Sequence, residues 1–214
     1  MVCGLMRWQT IYEARWILAV AVVVTGILSL IFSWLGLLGL LFILYVFYFF
    51  RDPERVSPAD ADIVVAAADG VVAGIEEIEE KEVLKTKMMR VAIFLSVFDV
   101  HTNRAPIEGK VTFSHRTPGK MLDARHPDAT TLNEYWTWAF EGTKTTLVVR
   151  QITGAIARRI VGWSKVGDTV KKGERFGMIR FGSRTEVYLP MNSTVTVKVG
   201  DRVQGGATVI ARLS

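Results

Sequence analysis

Three hydrophobic patterns follow one another along this chain. From Trp16 to Phe50 no Asp, Glu, Lys or Arg interrupts a run of mostly apolar side chains. As one helix, rising about 1.5 Å per residue, the run would exceed about 50 Å, whereas a bilayer's hydrocarbon core is about 30 Å thick. Ser33-Trp34-Leu35-Gly36 divides it, so the pattern predicts two short apolar helices, residues 16–32 and 37–50, folded as a transmembrane or re-entrant hairpin. Arg7 and Arg15 precede this hairpin and Arg51 and Arg55 follow it, which by the positive-inside tendency puts both ends on the cytoplasmic side. Tyr45, Phe47, Tyr48, Phe49 and Phe50 form an interfacial aromatic belt. The run is too long for the apolar core of a cleaved signal peptide.

A second pattern is the breaker-rich stretch 51–58, Arg-Asp-Pro-Glu-Arg-Val-Ser-Pro, whose two prolines and mixed charges mark a linker between an anchor, residues 1–50, and a domain, residues 59–214. The third is period-two alternation. Ile63–Ala68, Gly70–Ile75, Val91–Leu95, Gly109–Ser114, Thr145–Ile152, Glu186–Leu189 and Thr194–Val199 are short runs rich in Val, Ile and Thr, punctuated by Gly, Pro or Asp. Only Gly154–Ile160 and parts of Leu122–Phe140 suggest helix. The fold class expected is mainly β with a minor α component.

One internal repeat refines that expectation. Val166-Gly-Asp-Thr-Val-Lys-Lys-Gly173 returns 33 positions on (166 to 199) as Val199-Gly-Asp-Arg-Val-Gln-Gly-Gly206. Each copy is a turn whose glycines permit positive φ and whose Asp can bond local backbone. The pair resembles the barrel-sandwich hybrid, or hammerhead, of biotinyl and lipoyl carriers. A carrier would present a lysine between its two halves; here Gly182-Ser183 stands there instead.

Composition adds an anchor's signature: 50% of the 214 residues are hydrophobic, and the mean hydropathy is +0.28. The net charge of +5 suits an anionic lipid surface, and no basic run interleaved with aromatics points to nucleic acid. The single Cys3 allows no intramolecular disulfide and no cysteine metal cluster.

The candidate chemistry is spread over three stretches. Gly182-Ser183 between apolar runs reads as a tight turn or as a reactive serine. Asp69-Gly70 between valines reads as a type I′ hairpin turn or as an acid partner. His101 reads as a structural histidine or as a base. Together Ser183, His101 and Asp69 are the parts of a base-activated nucleophile. Tyr135, Trp136, Trp138 and Phe140 read as core packing or as a membrane-facing run.

These residues carry a wider likeness. Arg51-Asp-Pro-Glu-Arg after an apolar hairpin, Ala68-Asp69-Gly70, Phe98-Asp-Val-His101-x-Asn103-Arg104-Ala-Pro, Pro118-Gly-Lys, Asn133-Glu134, Gln151-Ile-x-Gly154 and Arg180-Phe-Gly-Ser183 together resemble the short-form, membrane-anchored phosphatidylserine decarboxylases. The resemblance implies a proenzyme in which Ser183 Oγ attacks the Gly182 carbonyl. An ester forms, and elimination across the serine Cα–Cβ bond follows. It leaves a β chain, residues 1–182, associated with an α chain, residues 183–214, that begins with a covalent pyruvoyl group, the only cofactor implied. Schiff-base chemistry on that group would convert phosphatidylserine to phosphatidylethanolamine at the cytoplasmic face of the membrane.

In this reading His101 is the acid–base group, Asp69 orients it, and Arg104 and Asn103 contact substrate. Long-form members carry His-x-x-His where this chain has His101-x-x-Arg104, so the processing base is either His101 or another residue, with His115 and His126 remaining. The lipid backbone, diacyl or archaeal ether, and self-association into a homo-oligomer stay open. The competing class is a membrane-anchored hammerhead adaptor without chemistry, which should carry a long heptad hairpin between its half-motifs; none separates the two copies here.

Overall fold

The computed structural model describes residues 7–126, 128–155, 159–181 and 183–214. The chain forms two compact units, Met1–Glu54 and Arg55–Ser214. In the first, α1 (Trp8–Ile31) and α2 (Ser33–Phe49) form an antiparallel hairpin. The break is one residue wide: Phe32 is extended at φ −143 and ψ 124, so Ser33–Gly36 opens α2 instead of forming the expected gap. Helix α1 also starts before the charge-free run, because hydropathy marks what a bilayer tolerates and not where helix begins. Glu13 and Arg15 lie inside it, and the Arg15 guanidinium sits 3.3 Å from the Tyr12 ring centroid. The helices approach at small residues, since a Cβ on Gly39 would collide with Thr25 and one on Gly36 with Ser29. Among the described residues, helix α1 alone is long and apolar enough to cross a membrane; α2 has 17 residues.

The second unit is strand-dominated, as expected. Its strands are β1 (Ile63–Val65), β2 (Gly70–Glu80), β3 (Thr86–Leu95), β4 (Thr102–Arg104), β5 (Gly109–Thr117), β6 (Tyr135–Glu141) and β7 (Thr146–Ile152). There follow β8 (Arg159–Gly162), β9 (Thr169–Val170), β10 (Arg175–Arg180), β11 (Ser183–Pro190), β12 (Thr194–Val195), β13 (Arg202–Val203) and β14 (Val209–Arg212). Expected helix around 122–140 shrinks to α3 (Ala129–Leu132), and Arg159–Ile160 are strand. Eight strands form an antiparallel sheet in the order β13-β2-β3-β11-β7-β6-β5-β9, beside two three-stranded sheets, β1-β14-β12 and β4-β10-β8.

These sheets obey a pseudo-twofold relation that reaches beyond the visible repeat. Gly167 N donates to Val111 O and Gly200 N to Val72 O, both at 2.8 Å. Gly173 N donates to Ala105 O and Gly206 N to Ala66 O, again at 2.8 Å. The acceptors are therefore a second pair, Ala66-x-x-Asp69-Gly70-x-Val72 and Ala105-x-x-Glu108-Gly109-x-Val111, 39 positions apart (66 to 105). Even the bulges correspond, lying between Val72 and Gly74 in β2 and between Val111 and Phe113 in β5. The two half-motifs meet at Gly173 and Gly206, with φ of +76 at each. A Cβ on Gly206 would lie 3.2 Å from Gly173 Cα and closer still to Arg104. Asp69-Gly70 is thus no hairpin turn: β1 and β2 belong to different sheets, and Gly70 has φ +153.

The core lies on one face of the large sheet. Trp138 and Phe140 are fully buried, Trp138 stacks on Trp136 with centroids 5.0 Å apart, and both buried rings meet Phe176 edge-on. Packing is the correct reading of that aromatic run.

At the far end of the β2–β3 hairpin, the shielded Glu80 carboxylate accepts the N–H groups of Glu82, Val83 and Leu84 at 2.7–2.9 Å. Burial pushes its pKa up, but these donors outweigh burial and hold it below 4.5. Its stabilisation is present above pH 4.5 and lost as the pH falls through the lower folded value. Glu80→Gln should cost about 1–3 kcal/mol at pH 7, and the gap in thermal unfolding should narrow in acid.

Candidate active site

Strand β11 occupies the middle of the eight-stranded sheet, pairing with β3 from Ser183↔Leu95 to Pro190↔Met88 and with β7 from Arg184↔Ile152 to Tyr188↔Val148. The strand before it, β10, is central to a different sheet. The chain must therefore change sheets within two residues. Phe181 carries that change at φ +64, a left-handed conformation that an aromatic side chain adopts at a cost. Gly182 lies outside the described residues.

Alternation along β11 sets what each side chain meets. Ser183, Thr185, Val187 and Leu189 share the core face. Arg184, Glu186 and Tyr188 share the other face, where Glu186 is completely buried. It accepts from Arg184 at 2.6 Å, Arg90 at 3.2 Å, Thr130 at 3.0 Å and Tyr188 Oη at 2.6 Å. Burial first, then the Glu186 charge, pushes the Tyr188 pKa well above its ordinary value, so the phenol stays protonated and donates. This network holds α3 against the strand from behind.

On the core face the Ser183 Oγ is buried and meets no hydrogen-bond partner among the described residues. A shielded, unsatisfied hydroxyl costs about 1–3 kcal/mol, so its presence calls for a chemical reason. His101 belongs to the same corner. The connection 96–101 leaves β3 one residue beyond Leu95, the strand partner of Ser183, and ends where His101 O accepts from Ile179 N at 3.2 Å. His101 is fully buried, and its Nδ1 lies 2.9 Å from Asp99 O. A carbonyl can only accept, so Nδ1 carries a hydrogen here, and a lone pair for proton transfer can lie only on Nε2.

The Asp99 backbone carbonyl thus fixes the Nδ1 side of the His101 ring. The hydrogen bonds of Asp69 to described residues run from Arg55 Nη2 and Gly205 N, both at 2.8 Å. Burial raises the Asp69 pKa, opposed by Arg55, the Gly205 N–H and Arg104. Through the Gly205 N–H, Asp69 closes the half-motif turn at 204–206, and Glu108 holds the equivalent position in the repeat. Arg55 and Ser57, expected in a linker, are pinned to this turn, Arg55 through Gln204 as well and Ser57 through Gly206 O. Sequence reasoning missed Arg55 because its partners lie 14 and 149 positions away.

Asn103 and Arg104 are buried too. Asn103 donates to Thr185 Oγ1 at 3.2 Å and accepts from Gln151 Nε2 at 2.5 Å, while Gln151 Oε1 accepts from Trp138 Nε1 at 2.7 Å. This chain ties β4 to β11 two residues beyond His101 and Ser183 respectively. Arg104 donates to Gly173 O at 3.0 Å, inside the junction of the half-motifs. Asn103→Ala leaves buried Thr185 and Gln151 groups unpaired, for a cost of about 1–3 kcal/mol. We expect lower thermal stability and slower loss of the intact chain, read by gel. Of the three histidines, His115 and His126 are exposed and only His101 is buried.

With that geometry in hand, comparison with known proteins is decisive. The chain matches the family described as phosphatidylserine decarboxylase over residues 42–211. It belongs to that family. It is 46% identical over 202 residues to the phosphatidylserine decarboxylase proenzyme of Carboxydothermus hydrogenoformans, covering 94% of this chain and 95% of the relative. The protein of the same name from Symbiobacterium thermophilum is 44% identical over 213 residues, covering 97% and 98%. That from Geotalea uraniireducens is 45% identical over 166 residues, covering 77% and 78%. The family resemblance drawn from the motifs is borne out over nearly the whole chain.

Proposed function

We propose that this chain is a proenzyme that cuts itself between Gly182 and Ser183 and then decarboxylates phosphatidylserine to phosphatidylethanolamine at the cytoplasmic face of a membrane. The observation that carries the reading is the buried Ser183 Oγ, which meets no hydrogen-bond partner among the described residues, just after a left-handed Phe181 and one strand step from the connection that carries the buried His101. Membership of a family whose relatives are named proenzymes supports it.

The residues divide the work as follows. His101 Nε2 takes the Ser183 Oγ proton; Oγ bonds to the Gly182 carbonyl carbon, and the bond from that carbon to the Ser183 nitrogen breaks, leaving an ester. Loss of the Ser183 Cα proton with cleavage of Cβ–Oγ then frees residues 1–182, as a carboxylate, from 183–214. The dehydroalanine left at 183 tautomerises to an imine, which takes up water and releases its nitrogen as ammonia to give the ketone. A pyruvoyl group derived from Ser183 supplies a ketone conjugated to an amide carbonyl, an electron sink for the pair left behind as CO₂ departs. His101 Nε2 returns a proton to the substrate carbon.

Asn103 and Asp69 act as positioning residues, the first by tying β4 to β11 and the second by closing the turn at 204–206. Both Ser183 and His101 are fully shielded in the uncut chain, so chemistry there is intramolecular. Cutting the 182–183 bond also admits the lipid headgroup.

The decisive experiment is intact-mass analysis of the purified wild-type chain. Two pieces, 1–182 and 183–214, are expected, the second lighter by one ammonia than a fragment beginning with serine. Reductive trapping with phosphatidylserine and cyanoborohydride should add lipid mass to the second piece alone. An intact chain with unmodified Ser183 would refute the proposal.

A further inference from the structure

We propose that the turn Ser96–Asp99 docks on the lipid bilayer, with Phe98 immersed among acyl chains and a rim of arginines in the headgroup layer. The inference rests on the Ser183 corner being the decarboxylation site, and it names the surface through which that site meets its substrate. Phe98 is 64% exposed, and among the described residues of the β-rich unit it is the only Phe, Tyr or Trp in the exposed class.

A lone exposed apolar residue is ordinary on a protein surface. Its location is what singles Phe98 out. It stands three residues before His101, on the connection that leaves β3 just after the strand partner of Ser183. Nor is it on a slack loop: Asp99 Oδ2 accepts from Ser96 N at 2.8 Å and Ser96 Oγ at 2.6 Å, and Asp99 N donates to Ser96 O at 3.0 Å. The turn meets its main polar groups internally, so it enters a low-dielectric layer with little unpaired backbone.

The charges around it suit an anionic lipid surface. Arg202 donates to Asp99 Oδ1 at 3.2 Å and has a side chain 71% exposed. The Arg125 guanidinium lies 5.8 Å from the ring centroid of Phe94, the residue before Leu95; its side chain is 72% exposed and pairs with the half-exposed Asp123 at 2.6 Å, an ion pair that an anionic headgroup can compete for. An aromatic tip flanked by arginines combines apolar insertion with attraction to anionic headgroups. A headgroup that keeps its acyl chains in the bilayer reaches a buried corner only if the mouth of that corner touches the interface.

The test uses the full-length chain in phosphatidylglycerol-containing vesicles, with Cys3→Ser removing the one native thiol. A nitroxide on Phe98→Cys should relax more with oxygen than with a water-soluble nickel chelate, and the ratio should exceed that of a label on Val166→Cys, at the β9 edge of the sheet. Equal chelate access at both sites would overturn the docking. In a kinetic arm, Phe98→Ser should lose about tenfold in kcat/KM on vesicle phosphatidylserine and stay near wild type on a monomeric short-chain phosphatidylserine, with Phe98→Trp keeping vesicle activity. Equal losses on both substrates would make Phe98 a site residue and not a membrane contact. Self-cleavage of each variant into 1–182 and 183–214 is scored separately, so failure of the site reading shows there and failure of docking shows in the label.

Discussion

Ser183→Ala should remain a single 214-residue polypeptide on a denaturing gel for as long as it is kept, while the wild type should resolve into two pieces. The variant should fold, because it removes a buried hydroxyl that bonds to no described residue and leaves a methyl group on the core face of β11. Its thermal stability should match or exceed that of the uncut wild-type chain, since no hydrogen bond is lost and an unsatisfied polar atom is gone. The cleavage rate should fall by roughly four to six orders of magnitude, the scale seen when a nucleophile is deleted from a unit that acts together. Ser183→Cys restores a nucleophile and should restore part of the cleavage. A Ser183→Ala chain that still cuts at this bond would remove Ser183 from the chemistry.

His101→Gln should slow self-cleavage by about 10²–10⁴-fold, the usual contribution of a positioned acid–base group. Glutamine can keep a donor near Asp99 O, so the variant separates the orienting bond from the proton transfer; the main loss is the lone pair of Nε2. Material left long enough to finish cutting should then show turnover of phosphatidylserine depressed as well, because the same ring returns the proton after CO₂ leaves. The measurements are gel time courses and release of labelled CO₂. Cleavage of His101→Gln at the wild-type rate would assign processing to another base, but not to His115 or His126, which are exposed on the surface.

Much of this site was legible in the residues themselves. Arg180-Phe-Gly-Ser183 and Phe98-Asp-Val-His101 are local strings, and their order along the chain was enough to identify the family before any coordinate. The strands around them were legible because alternation is a local property, and the helical hairpin because hydropathy is one too. What escaped was long-range. Trp136 and Trp138 could not be assigned to core or membrane until β6 was seen between β5 and β7. The 39-position correspondence of Ala66–Val72 with Ala105–Val111 shares only three identical residues and one acid, too weak a string to notice until the bonds from Gly173 and Gly206 fell on equivalent atoms.

The sequence alone thus determined the family, the β-rich class and the apolar hairpin, and it put forward Ser183, His101 and Asp69 as candidates, because each is written in neighbouring residues. Tertiary structure decided the roles. It gave the orienting bond of His101 to the Asp99 backbone, turned Asp69 toward Arg55 and Gly205, and spent the Asn103 amide on Thr185 and Gln151. It also put Ser183 just beyond the step between two sheets, where Phe181 is left-handed and the serine opens a central strand. A hydrogen-bond partner is fixed by which strands pair, and pairing joins residues tens to more than a hundred positions apart. No local pattern encodes that choice.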